Sequence, residues 1–223
     1  MNWNAVRKAD TKDVFEAIRC GGLADVKSRD IKRILEMVWE ENQSRSKALK
    51  SGSSDGPTGS MDEGDEEKEV EVEKADEEVL SLDHLHLLSS EEAFDKLIQY
   101  PGIGPKTASC VLLFCLQRPS FAVDTHVFRL CKWLGWVPDA GDPAGLPPGA
   151  KGRFAGPTRE STYAHCDVRI PDELKYPLHK LLIKHGRTCP RCRAITGEKS
   201  EGWEKGCVIE HLVKRKGGRK GAR

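Results

Sequence analysis

Apolar residues recur at helical spacing along most of the chain, and the breaks between runs are marked by glycine and proline. Val14, Phe15 and Ile18 form a short apolar face behind Thr11, and Gly21-Gly22 end it. Ile31, Ile34, Leu35 and Val38 stand at i, i+3, i+4 and i+7, opposite Lys32, Arg33 and Glu36, with Ser28 as the expected cap. Ser89-x-x-Glu92 has the form of a capping box ahead of Ala93, Phe94, Leu97 and Ile98, and Pro101 stops that run. Pro101-Gly102-Ile103-Gly104 leaves room only for a tight hairpin, after which Pro105 opens a helix with Ala108, Val111, Leu112 and Cys115 on its apolar face. A further helix starts at Thr125 and ends near Leu134-Gly135-Trp136. Pro138–Pro157 is crowded with glycine and proline and predicts an irregular loop. Pro171 and Pro177 bracket the start of a last helix carrying Leu178, Leu181 and Leu182, with Gly186 as its expected C′ residue. The pattern predicts an all-α chain.

Composition changes this picture in one segment. Ser51–Leu80 holds twelve acidic residues against two lysines, so the net charge of +1 hides 34 basic against 23 acidic residues elsewhere. That excess suits a phosphate backbone. Gln43–Val79 is rich in Ser, Gly, Asp and Glu and predicts a disordered acidic insertion, either a solvated linker or a competitor for a basic cleft. The chain has no apolar run of membrane-spanning length, and Met1–Asp10 lacks the apolar core of a secretory signal, so a soluble, intracellular protein is expected. Eight cysteines in that setting predict buried thiols such as Cys110, Cys115 and Cys131 rather than a disulfide framework. The last ten residues carry six basic ones, a pattern for nuclear import or for a phosphate-binding arm.

The candidate chemistry lies around the hairpin. Glycines leading into a helix N-terminus present backbone N–H groups to an anion, which makes Gly102, Ile103, Gly104 and Thr107 candidate DNA contacts. Lys106 offers an amine in the first turn, and Asp124 a carboxylate eighteen residues later. An amine can attack a carbonyl-like sugar carbon, and an anion offsets oxocarbenium charge.

PGIGPKTA followed by AVDTHVFR resembles the two motifs of the helix-hairpin-helix, Gly/Pro-Asp superfamily of base-excision DNA glycosylases, in its endonuclease III-like branch. The resemblance implies a two-lobed, all-α glycosylase fold in which Lys106 attacks C1′ of a flipped-out nucleotide and Asp124 assists. The base leaves, and a Schiff base permits strand cutting by β-elimination. GGLADVKSRDIKRIL resembles the element before the family's hairpin and adds Lys27 and Arg29 as candidate phosphate contacts. The family's helices upstream of this element are missing before Met1. The implied partner is double-stranded DNA with a damaged, mismatched or abasic site, bound by a nuclear monomer. A truncated, non-catalytic DNA-binding module and a zinc-stabilised interaction protein remain alternatives.

The expected organisation is 1–42 for N-terminal helices, 43–79 for the insertion and 80–137 for the catalytic core. A loop then covers 138–157, a C-terminal helical lobe 158–213 and a basic tail 214–223. LGWVP after the Asp124 helix is similar to plant DEMETER-type 5-methylcytosine glycosylases, while oxidised pyrimidines are the family default, so the base removed stays open. HGRTC and GCVIEHLV resemble the two ends of the family's [4Fe–4S] ligand run, but Glu204 and Val213 stand where two of its cysteines should, which argues against that cluster. Cys189, Cys192, Cys207 and His211 supply instead three thiolates and an imidazole that suit tetrahedral zinc, with unligated thiols as the alternative. The chemistry itself requires no cofactor.

Overall fold

The computed structural model describes residues 1–52 and 63–215, and among them every regular element is helical. The chain divides into two compact units, Met1–Gly104 and Pro105–Arg223.

In the first unit, α1 (Trp3–Lys8) and α2 (Thr11–Ile18) pack on the long α3 (Ala24–Ser51), as does α4 (Asp65–Asp76). The side chain of Asp10 caps α2, with Thr11 its first residue. Helix α3 begins one turn earlier than the sequence predicts, at a left-handed Leu23, so Ser28 is a buried residue inside the helix and not its cap. A 3-10 turn at Asp83–His86 leads to α5 (Ser90–Ile98). Both halves of its capping box form: Glu92 N donates to Ser89 Oγ at 3.2 Å, and Ser89 N to Glu92 Oε2 at 2.8 Å.

The expected disorder over Gln43–Val79 is corrected for its described parts. Residues 43–51 continue α3 and Asp65–Asp76 forms α4. The cause is pairing between elements, which composition does not reveal. The Arg45 guanidinium bonds both oxygens of Glu71 at 2.5 and 2.9 Å, Lys50 meets Asp76 at 2.7 Å, and Gln43 Nε2 donates to Ala75 O at 2.7 Å. Asn42 and Ser81 exchange hydrogen bonds in both directions. Residues 53–62 of that segment lie outside the described residues.

A second polar knot gathers on Glu41. Tyr100 Oη donates to it at 2.8 Å, Lys96 Nζ lies at 2.7 Å and His84 Nε2 at 3.3 Å. Burial alone would raise this carboxyl, but its three partners outweigh burial and hold it near about 2.

The second unit holds α6 (Pro105–Phe114), α7 (Thr125–Trp133), α8 (Arg159–Arg169) and α9 (Asp172–Thr188). Its core is Phe121, Val123, Val127, Leu130, Cys131, Trp133, Cys166 and Leu182, continuing into Cys189, Cys192 and Val213. Residues 138–157 are irregular apart from a 3-10 turn at Pro143–Gly145. Pro177 lies inside α9, and Gly186 is in its last turn instead of beyond it. The reason for glycine there is packing: a Cβ on Gly186 would stand 2.9 Å from His126 Cβ and 3.1 Å from His126 Nδ1 of α7. Of the expected buried thiols, Cys131 is buried, Cys110 half-buried and Cys115 exposed.

Candidate active site and cysteine cluster

Tyr100–Ile103 forms a type II turn, with Pro101 at its second position, Gly102 at φ +74° at its third, and Ile103 N donating to Tyr100 O at 3.1 Å. Only Gly102 uses the left-handed freedom; Gly104 has no positive φ, and open space lies where its Cβ would be. The space beside Gly102 is filled by the Asp30 carboxylate of α3, 2.6 Å from an ideal Cβ. Lys27, one turn before Asp30, is exposed and donates to Gly21 O at 3.0 Å. Arg29 is exposed and pairs along its own helix with Asp25 at 2.6 Å.

Pro105 opens α6, and Lys106 and Thr107 occupy its first turn, where helix geometry leaves backbone N–H groups without helical acceptors. Lys106 is exposed, and among the described residues its ammonium makes no hydrogen bond or ion pair. Asp124 is positioned by the buried run Phe121-Ala122-Val123 on one side and by α7 on the other. It is the N-cap of α7: His126 N and Val127 N donate to Oδ1 at 2.9 and 2.8 Å, while Oδ2 accepts none among the described residues. The cap locks the carboxylate's orientation and leaves one oxygen available.

A residue the sequence pattern did not single out, His179, is held against the run that leads to Asp124. His179 of α9 is only 1% exposed, holds Ala122 O at 2.8 Å through Nδ1, and meets the Phe114 ring at 5.3 Å between centroids. Burial lowers its pKa first of all; the Ala122 carbonyl and Asp124 oppose that shift, and Lys106 adds to it. The available signal was its spacing to Leu182 and Gly186, a buried face in which a histidine stands out. His126 joins α7 to α9, with Nδ1 2.9 Å from Gly186 O.

The third constellation differs from the predicted one in a single ligand. His185, Cys189, Cys192 and Cys207 place their ligand atoms within 4.8 Å of one another. Cys192 Sγ is 3.6 Å from Cys207 Sγ, which is 3.4 Å from His185 Nε2. His211 is not in the group. Its assignment needed a helix over residues 207–211 to bring Cys207 and His211 to one face, and that stretch is turns with His211 exposed. His185 takes the place because α9 runs on to Thr188, which sets His185 one turn before Cys189, and Cys189 N donates to His185 O at 2.9 Å. Arg129 fixes the loop from α7, donating to Gly186 O at 3.0 Å and to Cys192 O at 2.9 and 3.1 Å. Arg215 Nη2 points at Cys192 Sγ, 3.5 Å away. These residues do not fit a [4Fe–4S] cluster. There are three thiols, not four, and all four atoms lie within 4.8 Å, whereas a cube of iron and sulfide holds its ligand sulfurs roughly 6 Å apart.

No family model matches the chain. It is 36% identical over 191 residues to "Putative DNA glycosylase At3g47830" of Arabidopsis thaliana, covering 86% of this chain and 48% of that protein. Endonuclease III of Sulfolobus acidocaldarius is 25% identical over 210 residues, 94% of this chain and 65% of its own length. Among solved structures, that of a non-covalent endonuclease III–DNA complex matches the fold with a TM-score of 0.56 at 19% identity, covering 96% of this chain and 68% of that one. The chain thus spans about half the length of the first of these relatives. It is similar in sequence to proteins named DNA glycosylase and endonuclease III, and its fold matches that of endonuclease III.

Proposed function

We propose that the chain is a base-excision DNA glycosylase with an associated lyase activity at abasic sites. The observation that carries the reading is the presence in one compact unit of an exposed Lys106 amine in the first turn of α6 and an Asp124 carboxylate whose Oδ1 caps α7 while Oδ2 accepts no hydrogen bond among the described residues. The Lys106 amine attacks C1′ of an extruded nucleotide, and the C1′–N bond breaks with its electrons leaving on the base. Asp124 Oδ2 offsets the positive charge that builds on the sugar and orients the amine. The sugar ring then opens to an imine on Lys106. Loss of a C2′ proton expels the 3′ phosphate, and water returns the free amine.

DNA is gripped by the hairpin amides around Gly102–Gly104 and by the first turn of α6 with Thr107, as phosphate contacts that position without reading sequence. Lys27 and Arg29 are secondary contacts, since each already has a partner. The basic tail supports a nuclear protein; its residues beyond Arg215 lie outside the described residues, and Arg215 itself is held by Glu210 at 2.5 Å. We read the active form as a monomer on damaged, mismatched or abasic duplex DNA.

Single-turnover base release and strand nicking, measured separately on duplexes with an oxidised pyrimidine, a G·T mismatch or 5-methylcytosine, test the reading. Lys106→Ala is expected to abolish both activities on the preferred duplex, and Asp124→Asn to slow base release by about 10²–10⁴-fold. Base release at the wild-type rate by Lys106→Ala contradicts it.

A further inference from the structure

The His185–Cys207 group is separate from the glycosylase site, and its geometry is that of a mononuclear centre. We propose that His185 Nε2 and the Sγ atoms of Cys189, Cys192 and Cys207 bind one Zn²⁺ tetrahedrally as a closed structural site. Zinc–sulfur and zinc–nitrogen bonds of about 2.3 and 2.0 Å put the vertices of such a tetrahedron roughly 3.5–3.8 Å apart. The two distances recorded here, 3.6 Å between sulfurs and 3.4 Å from sulfur to nitrogen, have that size. Three soft thiolates and one imidazole form a ligand set suited to zinc and incomplete for a four-cysteine cluster.

The surroundings fit a structural ion. Cys189 and Cys192 are buried in the same core as Trp133, Leu182 and Val213, so water has no open coordination position on that side. Outer contacts orient the ligands: Arg215 Nη2 reaches Cys192 Sγ and also pairs with Glu210, and Arg129 holds the Cys192 carbonyl. Three thiolates and Zn²⁺ sum to one negative charge, which the Arg215 guanidinium faces. The need for a cross-link is visible in the backbone. From Cys189 to Arg215 the only regular element among the described residues is the 3-10 turn Trp203–Lys205, so few helical hydrogen bonds offset the entropy of ordering this stretch. An ion tied to the end of α9 and to Cys207 closes the loop between them.

Elemental analysis of the full-length chain, purified without chelator, is expected to give about one zinc per chain, no iron and no visible absorption. Exchange with Co²⁺ should give the d–d bands of a tetrahedral site, with sulfur-to-cobalt charge transfer of an intensity expected for three thiolates. His185→Ala should weaken zinc retention against a chelator by about 10²-fold or more, and His211→Ala by less than about twofold. Should His185→Ala not fold, His185→Cys decides: it keeps the ion and raises the cobalt charge transfer to that of four thiolates. Iron with visible absorption, a metal-free protein with or without a Cys192–Cys207 disulfide, or loss of the ion in His211→Ala but not in His185→Ala overturns the proposal. None of these outcomes depends on activity toward DNA.

Discussion

Replacing Gly186 with alanine sets two known effects against each other, and the structure decides the sign. Gly186 lies inside α9 with no positive φ, so helix propensity alone predicts that alanine stabilises by about 1 kcal/mol. Against this, the added Cβ would sit 2.9 Å from His126 Cβ, 3.1 Å from His126 Nδ1 and 3.3 Å from Arg129 Nη2. His126 Cβ is anchored to the α7 backbone and cannot swing away as a side-chain tip would. Relief requires α7 and α9 to part by several tenths of an ångström in a packed core, a class of change that costs about 1–3 kcal/mol. Parting them also stretches the bonds from His126 and Arg129 to Gly186 O, a further loss of about 1 kcal/mol. The net expectation is destabilisation by roughly 1–3 kcal/mol, read as a lower urea midpoint with unchanged m. Because α7 carries Asp124 and α9 carries His179 and His185, base release should fall as well. A midpoint equal to or above wild type would refute the close-packing account of Gly186.

Glu41 should make the first unit acid-sensitive. Its folded pKa of about 2 lies below its ordinary 4.5, so its stabilisation is present above pH 4.5 and is lost as pH falls from 4.5 toward 2. The gap in unfolding free energy between wild type and Glu41→Gln, about 2–3 kcal/mol at pH 7, should shrink over that range, and a pH-independent gap would contradict it. Gly102→Ala combines positive φ with the Asp30 carboxylate and should destabilise by about 1–2 kcal/mol. Adding Asp30→Ala should recover only the steric part, so full recovery in thermal melts would mean that φ carries no strain. Ser89→Ala should cost about 1 kcal/mol through loss of the capping box, and an unchanged melting temperature would remove that box from the account.

Local grammar was legible in the sequence: the Ser89–Glu92 box, the Pro101–Gly104 hairpin and proline at the start of α6 all form where spacing placed them. What was not legible depends on partners distant in sequence. Residues 43–51 and 65–76 look unstructured by composition, yet are helical because Arg45 finds Glu71 and Lys50 finds Asp76. His211 had the right spacing for a helix that does not form, while His185 became visible only once α9 was known to reach Thr188. His179 became legible only through the fold, which buries it and sets its Nδ1 2.8 Å from Ala122 O.

The central claim is that the Lys106 amine forms the covalent intermediate. Borohydride reduction of the full-length chain with a duplex carrying an abasic site, followed by peptide mapping of the trapped species, tests it. The account predicts a stable protein–DNA adduct at Lys106 that disappears in Lys106→Ala and persists, more slowly formed, in Asp124→Asn. An adduct mapped to another amine, or wild-type protein that binds the duplex without trapping, would contradict it.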